Sequence, residues 1–219
     1  MVIAGLVDAV FPVFCVACGA RGTPVCTKCG HNLVPARPTP PPAFVDDWFA
    51  LYEYESVARE LVARIKYRNA RAILPAFADA IAQHARHRWQ FDAITWAPTT
   101  RAHQRDRGFD HAQLLARAVA RRTDVPLRAL LTRTTEHPQT GRPQRDRQHG
   151  VTFEAVHRGG RPFAASVLLL DDVATSGATL RAAARALRGG GAQHVYAATI
   201  ARTPPPRSRR ARAAYTPPR

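Results

Sequence analysis

The sequence predicts an α/β protein in which helices flank a mostly parallel sheet, with a small four-cysteine module ahead of it. Helical and short apolar strand patterns alternate along residues 44–202, which is typical of a parallel sheet with crossover helices. One apolar strand pattern leads through a turn into a helical pattern closed by three glycines. All four cysteines fall within the first 35 residues, in two closely spaced pairs.

The first element is the cysteine module at residues 1–35. Apolar residues recur at helical spacing in the first residues of the module, which predicts a short amphipathic helix. We expect this helix to end at Pro12. Because this start lacks a basic leading segment and contains Asp8, it does not fit a secretory signal. No stretch is long and apolar enough to span a membrane, so we expect a cytoplasmic protein.

The cysteines stand as two Cys-x-x-Cys pairs, each followed by a glycine. Such turns aim two sulfurs at one point, and four thiolates match the tetrahedral preference of zinc. Two disulfides or a redox pair remain as alternatives, although a cytoplasmic chain disfavours the first and a duplicated pair the second. We expect a structural Zn²⁺ site formed by Cys15, Cys18, Cys26 and Cys29.

A proline-rich linker at residues 36–43 leads into the α/β domain at residues 44–202. A basic tail at residues 203–219 has almost no apolar content, which predicts disorder. Between residues 132 and 151 lies a polar, arginine-rich stretch without periodicity. The predicted elements are helices at 54–83, 108–122 and 178–188 and strands at 93–96, 166–170 and 194–200.

The charge is strongly positive, with 32 Lys+Arg against 16 Asp+Glu and a formal net charge of +16. This excludes an electrostatically indifferent enzyme and implies phosphates, nucleic acid or a membrane surface as partners. Only Lys28 and Lys66 are lysines. Arginine is the better bidentate phosphate ligand, although a GC-rich coding bias explains the same excess.

The most informative segment is VLLLDDVATSGATL, beginning at Val167. An apolar strand brings Asp171 and Asp172 to the carboxyl edge of the sheet, where ligands of open α/β folds bind. A turn of small and hydroxylated residues follows and opens a helix, so its N–H groups form an anion cradle. Adjacent acids can accept hydrogen bonds from two vicinal hydroxyls, and the combination suits a phosphorylated ribose. The candidate ligand-binding residues are Asp171, Asp172, Ala174, Thr175, Ser176, Gly177, Ala178 and Thr179.

Two other interpretations of this segment are weaker. A P-loop NTPase also has a strand ending in acids, but no G-x-x-x-x-G-K-[ST] motif occurs in the sequence. A purely structural strand, turn and helix would not need two acids and three hydroxyls.

This segment resembles the ribose-phosphate signature of type I phosphoribosyltransferases, in which the two acids bind the ribose and the loop holds the 5′-phosphate. Together with FPVFCVACG, LYEYESVARELVARIKYRNA, TWAPTTRAHQRDRGFDHAQLLARAVA and LTRTTEHPQTGRPQRDR, the chain resembles the ComF family of competence proteins over residues 12–202. The resemblance implies binding of phosphoribosyl pyrophosphate (PRPP) with Mg²⁺. Asp171 and Asp172 are then the catalytic candidates.

By the same resemblance, the segment after the 93–96 strand holds the pyrophosphate, with Thr99, Thr100, Arg101, Arg105, Arg107 and Lys66 on that side. A solvated basic loop and a surface lysine are the alternatives. A flexible closing loop would carry Gln139, Arg145 and Arg147. The chain departs from the family at Asp110 and His111, where asparagine and glutamine are usual, and near Gly150, where an asparagine is usual.

The resemblance implies a PRPP-binding protein connected with natural transformation and uptake of single-stranded DNA. The alternative is a phosphoribosyltransferase of nucleotide metabolism or salvage that displaces pyrophosphate from PRPP. No acceptor site is recognisable, and no cysteine is left over for glutamine-dependent chemistry. By the same resemblance, single-stranded DNA and competence proteins are expected partners beside PRPP. The charge of +16, the arginine-rich tail and aromatic residues close to basic ones fit a stacking platform for single-stranded DNA, although these aromatic and basic residues also suit a packed domain. These are Trp48, Tyr52, Tyr54 and Tyr67, with Arg59, Arg64, Lys66 and Arg68.

Overall fold

The computed structural model describes residues 13–68, 71–134, 151–157 and 162–204. Three sequence predictions lie outside this part of the chain: the amphipathic helix at the start, the tail beyond residue 204, and the closing loop with Gln139, Arg145 and Arg147. The side chains of Tyr67 and Arg68 also fall outside it.

The described part of the chain folds around a parallel sheet with strand order β1-β6-β5-β2, and β3 pairs antiparallel with β4 beside it. The long apolar run in β5 is explained by burial of both faces, since alternate side chains enter two separate cores. The predicted fold class is therefore confirmed. The strands are β1 Asp47–Glu53, β2 Ala93–Trp96, β3 Leu131–Thr134, β4 Thr152–Ala155, β5 Ser166–Ala174 and β6 His194–Arg202.

Helices cover both faces of this sheet. On one face, Leu61, Phe77 and Leu115 from three helices pack on β5 and β6. On the other face, Leu180 and Leu187 of a single helix share a core with the β3–β4 pair. The helices are α1 Thr27–His31, α2 Ser56–Arg68, α3 Leu74–Arg88, α4 Arg101–Arg107, α5 His111–Thr123 and α6 Ala178–Gly189, with a 3-10 turn at Arg71–Ile73. In this part of the chain no helix is long and apolar enough to cross a membrane.

Several predicted boundaries were wrong for local reasons. The helix expected from residue 108 starts at His111, because Gly108 is left-handed and ends α4 while the Asp110 side chain caps α5. The strand expected at 166–170 continues through Ala174, since its outer half still pairs with β6. The region 54–83, expected to hold one or two helices, holds two that are separated by the 3-10 turn, and the second runs past the expected end to Arg88.

Several elements were not predicted, namely the short helices α1 and α4, strand β1 and the β3–β4 pair. The two strand elements show why. Strand β1 has a mixed pattern of apolar and polar residues, and it forms the edge of the sheet. The β3–β4 pair flanks the stretch that sequence periodicity left unassigned. Both elements depend on partners distant in sequence, which a local pattern does not reveal.

Candidate functional site

The site lies where β5 extends past its neighbour β2. The last pair between the two strands is Trp96 with Leu170, so the next two residues of β5, Asp171 and Asp172, stand at the carboxyl edge of the sheet. The Lys66 Nζ, at the end of α2, donates to the Asp172 carboxylate at 2.9 Å. From the sequence we expected this lysine on the pyrophosphate side, whereas among the described groups its partner is one of the two acids expected to bind the ribose.

A third carboxylate, Asp110, faces the same space and was not among the predicted site residues. Its Oδ2 accepts a hydrogen bond from the Thr99 N–H at 2.9 Å, and its Oδ1 accepts one from the Gln113 N–H at 3.3 Å. Only 5% of the residue is exposed. An aspartate directly before a helix is an N-cap signal, so its capping role was readable from sequence, whereas its closeness to the β5 acids was not.

The three carboxylates surround a cavity of about 220 Å³ that also reaches Lys66, Thr99 and Thr179. Beside it, a ring nitrogen of His111 lies 2.9 Å from the Ile65 carbonyl oxygen, which ties α5 to the end of α2. The cavity therefore brings together residues of both predicted subsites, from α2, the segment after β2, β5 and the start of α6.

The acids perturb one another. Burial and the neighbouring Asp172 charge raise the pKa of Asp171 to about 8. Burial also raises the pKa of Asp110, against the lowering effect of the N–H groups that its carboxylate accepts. Lys66 is the cation that opposes this build-up of negative charge at Asp171. An apposition of carboxylates with raised pKa values favours a divalent cation or hydroxyl donors as ligands.

The turn at residues 175–177 lines a second cavity, of about 230 Å³, which is separate from the one beside the acids. Gly177 has φ +72°, which glycine adopts without strain, and α6 starts directly after it. Within the described part of the chain, no intramolecular hydrogen bond involves the N–H groups of Thr175, Ser176 or Gly177. Free N–H groups at the positive end of a helix are suited to an anion.

The remaining pyrophosphate candidates have other positions. Thr100 caps α4, its hydroxyl accepting from the His103 N–H at 3.1 Å. Arg105 is exposed on α4 and does not line the cavity beside the acids. The backbones of Arg101 and Arg107 belong to α4, but their side chains lie outside the described part of the structure.

The four cysteines come together as expected for a metal centre. The sulfurs of Cys15, Cys18, Cys26 and Cys29 all lie within 4.8 Å of one another. Around a tetrahedral Zn²⁺ with bonds of about 2.3 Å, sulfurs stand about 3.8 Å apart, so the cluster fits zinc after a small contraction. Burial and the neighbouring cysteines raise the pKa of Cys29 to about 12. At Cys15 burial also raises the pKa, but several hydrogen bonds, of which the one from the Cys26 backbone N–H is the largest, together outweigh it and lower the pKa to about 6.

The parallel sheet, with the glycine turn that leads from β5 into α6, is a type I phosphoribosyltransferase-like α/β fold. The family described as "Phosphoribosyl transferase domain" matches residues 109–216, which is just under half of the chain. That match includes β5, the loop and α6. Among curated proteins none matches this sequence.

Solved structures with a similar arrangement include "the allosteric regulatory enzyme of purine biosynthesis", at 22% identity, 60% of this chain, 26% of that chain and a TM-score of 0.41. Glutamine PRPP amidotransferase from B. subtilis is 21% identical, with 60% of this chain and 26% of that chain covered and a TM-score of 0.42. APRTase from Giardia lamblia is 18% identical, with 66% of this chain and 86% of that chain covered and a TM-score of 0.40. The chain thus spans about a quarter of the length of the first two proteins.

Proposed function

We propose that this protein binds PRPP together with Mg²⁺ at the carboxyl edge of β5. The observation that carries the proposal is that two different chemical environments lie next to each other within the seven residues 171–177. Asp171 and Asp172 face a cavity rich in carboxylates, and the turn at residues 175–177 offers N–H groups at the start of a helix. A phosphorylated ribose has hydroxyls for the first and a phosphate for the second.

Each group then has a role that its chemistry allows. Asp171 and Asp172 accept hydrogen bonds from the ribose hydroxyls, and the loop holds the 5′-phosphate. Lys66 and the segment at Thr99 lie on the pyrophosphate side. The oxygen-rich cavity of Asp110, Asp171 and Asp172 fits a hard cation, and Mg²⁺, when bound, neutralises charge on the pyrophosphate.

Calorimetry on the full chain tests the proposal. Wild-type protein is titrated with PRPP in the presence and absence of Mg²⁺, beside the double variant Asp171→Asn/Asp172→Asn. Asp79→Asn is the matched control, because it removes an exposed acid that pairs with Arg122 on the helical face. We expect Mg²⁺-dependent binding by the wild type and the control and none by the double variant. Equal binding by all three proteins would refute the site.

Whether PRPP is consumed is a separate part of the proposal. We infer that a turnover reaction, if present, displaces pyrophosphate at the anomeric carbon in favour of an unidentified acceptor, as in nucleotide metabolism or salvage. Little covalent chemistry is required of the protein, because the leaving group is stabilised by cations. Pyrophosphate release across a panel of nucleobases, amines and ammonia tests this. Release with one acceptor supports an enzyme, and silence across the panel supports a binding protein.

A ComF-like role in DNA uptake is our second candidate function. It is supported by the cysteine cluster and by a cavity of about 430 Å³ in which Trp48, Phe49 and Tyr52 lie beside Arg37 and Arg88. Aromatic rings next to arginines suit stacking of single-stranded bases. Affinity for an oligothymidine should then fall steeply with salt, and a flat salt response would contradict this role.

A further inference from the structure

The proline linker reaches the phosphate loop, although the two are far apart in sequence. A Cβ atom added to Gly177 would stand 3.2 Å from Pro42 Cγ, so the pyrrolidine ring covers the backbone of the loop closely. The cavity of about 230 Å³ has loop residues 175–177 on one side and Thr39, Pro42 and Trp48 on the other. The space where the anion cradle opens is therefore partly enclosed by residues of the linker.

Trp48 holds this part of the linker in place. Its indole Nε1–H is shared between the carbonyl oxygens of Thr39 at 3.0 Å and Pro40 at 3.1 Å. Prolines have no N–H, so residues 38 and 40–42 cannot pair with β1 as a regular strand would. The indole is the side chain of β1 that donates to this segment in the described structure.

A second anchor ties the start of the segment to the end of the sheet. The Arg37 N–H donates to Glu53 Oε1 at 3.0 Å, and the Arg202 guanidinium donates to the same oxygen at 2.7 Å. The side chains of Glu53 and Arg202 are each only 6% exposed. Among the described groups, Glu53 Oε2 and Arg202 Nε have no hydrogen-bond partner, so this ion pair is incompletely satisfied. A buried pair of that kind is a weak source of stability and fits a positioning role.

We propose that residues 37–42 form a wall of the phosphate site and that Trp48 is the residue that positions this wall against the loop. Affinity for the phosphate end of the ligand then depends on a segment that precedes the α/β domain. The inference rests on the proposed function, because it assigns the loop to a phosphate. It adds that the linker is part of the binding site rather than a spacer.

The test compares Trp48→Phe with Trp89→Phe. Both variants replace an indole and delete one N–H donor, but the Trp89 indole donates to the Asp47 carboxylate and does not line the cavity at the loop. Calorimetry with ribose 5-phosphate and with inorganic pyrophosphate separates the two ends of the ligand. For Trp48→Phe we expect ribose 5-phosphate to bind about five- to tenfold more weakly, which is what one lost hydrogen bond of ordinary strength allows. Pyrophosphate affinity should be unchanged, and Trp89→Phe should leave both affinities unchanged.

Hydrogen exchange on the free proteins gives a readout that needs no ligand. Trp48→Phe should speed exchange at residues 175–178, and Trp89→Phe should not. Pro42→Ala, which removes the ring from the loop but leaves both indole bonds possible, should produce the same local change. This variant decides the question if Trp48→Phe does not fold.

The outcomes separate the inference from the function on which it rests. If wild-type protein binds neither probe, the proposed function fails, and exchange alone decides whether the linker positions the loop. If wild type binds ribose 5-phosphate and neither linker variant alters its affinity or the loop exchange, the linker wall is refuted while the proposed function stands. Faster exchange with selective loss of ribose 5-phosphate supports both.

Discussion

Replacing Lys66 with methionine should destabilise the protein by removing the cation that faces three carboxylates. The Nζ atom lies 2.9 Å from the Asp172 carboxylate, and the two side chains are 22% and 18% exposed. Methionine retains the unbranched stem and its packing, so the change isolates the charge. The remaining negative charges then face one another across the cavity without the ammonium group between them.

The expected loss follows from the type of interaction. A hydrogen bond to a charged group contributes about 1.5–3 kcal/mol, and partial exposure puts this one near the lower limit, at about 1.5–2 kcal/mol. For a chain of this length that corresponds to a fall in Tm of about 3–8 °C. Urea unfolding of wild type, Lys66→Met, Asp172→Asn and the double variant gives the coupling energy of the pair, which should be of the same size.

The pKa of Asp171 supplies an independent readout. Lys66→Met should raise it further, since the ammonium lowers it, and Asp172→Asn should lower it, since the neighbouring charge raises it. In the wild type a folded-state pKa of about 8 means that the native state binds a proton more tightly than the unfolded state does. The contribution of this group to stability is therefore present at low pH and lost as pH rises towards 8. If the losses in unfolding free energy of Lys66→Met and Asp172→Asn simply add in the double variant, and the pKa of Asp171 does not change in either, this interpretation of the pair is refuted.

Three further predictions concern other parts of the structure. Arg202→Met should cost about 3–5 kcal/mol in urea unfolding because it leaves the buried Glu53 charge unpaired, and Glu53→Met/Arg202→Met should recover most of that loss; no recovery would contradict the pairing. Asp110→Asn should lower the pKa of Asp171, since the Asp110 charge raises it, and a carboxyl titration that does not move would contradict their proximity. Cys15→Ser should reduce zinc content below one ion per chain in metal analysis, whereas full occupancy would exclude this cysteine from the site.

Sequence patterns were sufficient for features that depend on nearby residues. The apolar run before Asp171 and the glycine turn before α6 predicted the strand, the loop and the helix to which we assign the proposed ribose-phosphate site. The spacing of the cysteines likewise predicted their convergence, because two tight turns need few residues. In each case the information lies within about a dozen residues.

The features that sequence reasoning missed join residues far apart in the chain. Lys66 and Asp172 are separated by 106 positions, and Glu53 and Arg202 by 149. The close approach of Pro42 to Gly177 was also missed, because a proline-rich segment is expected to be a spacer and not to contact a distant loop. Only the order of strands places β1 beside β6, and that order brings the linker to the loop at residues 175–177.

A crystal structure of the full chain grown with PRPP and Mg²⁺ is the decisive test of the proposed binding site. We expect ribose hydroxyl oxygens within hydrogen-bond distance of the Asp171 and Asp172 carboxylates and the 5′-phosphate on the N–H groups of residues 175–178. A ligand bound elsewhere, or one whose phosphate and ribose contact neither group, would contradict it.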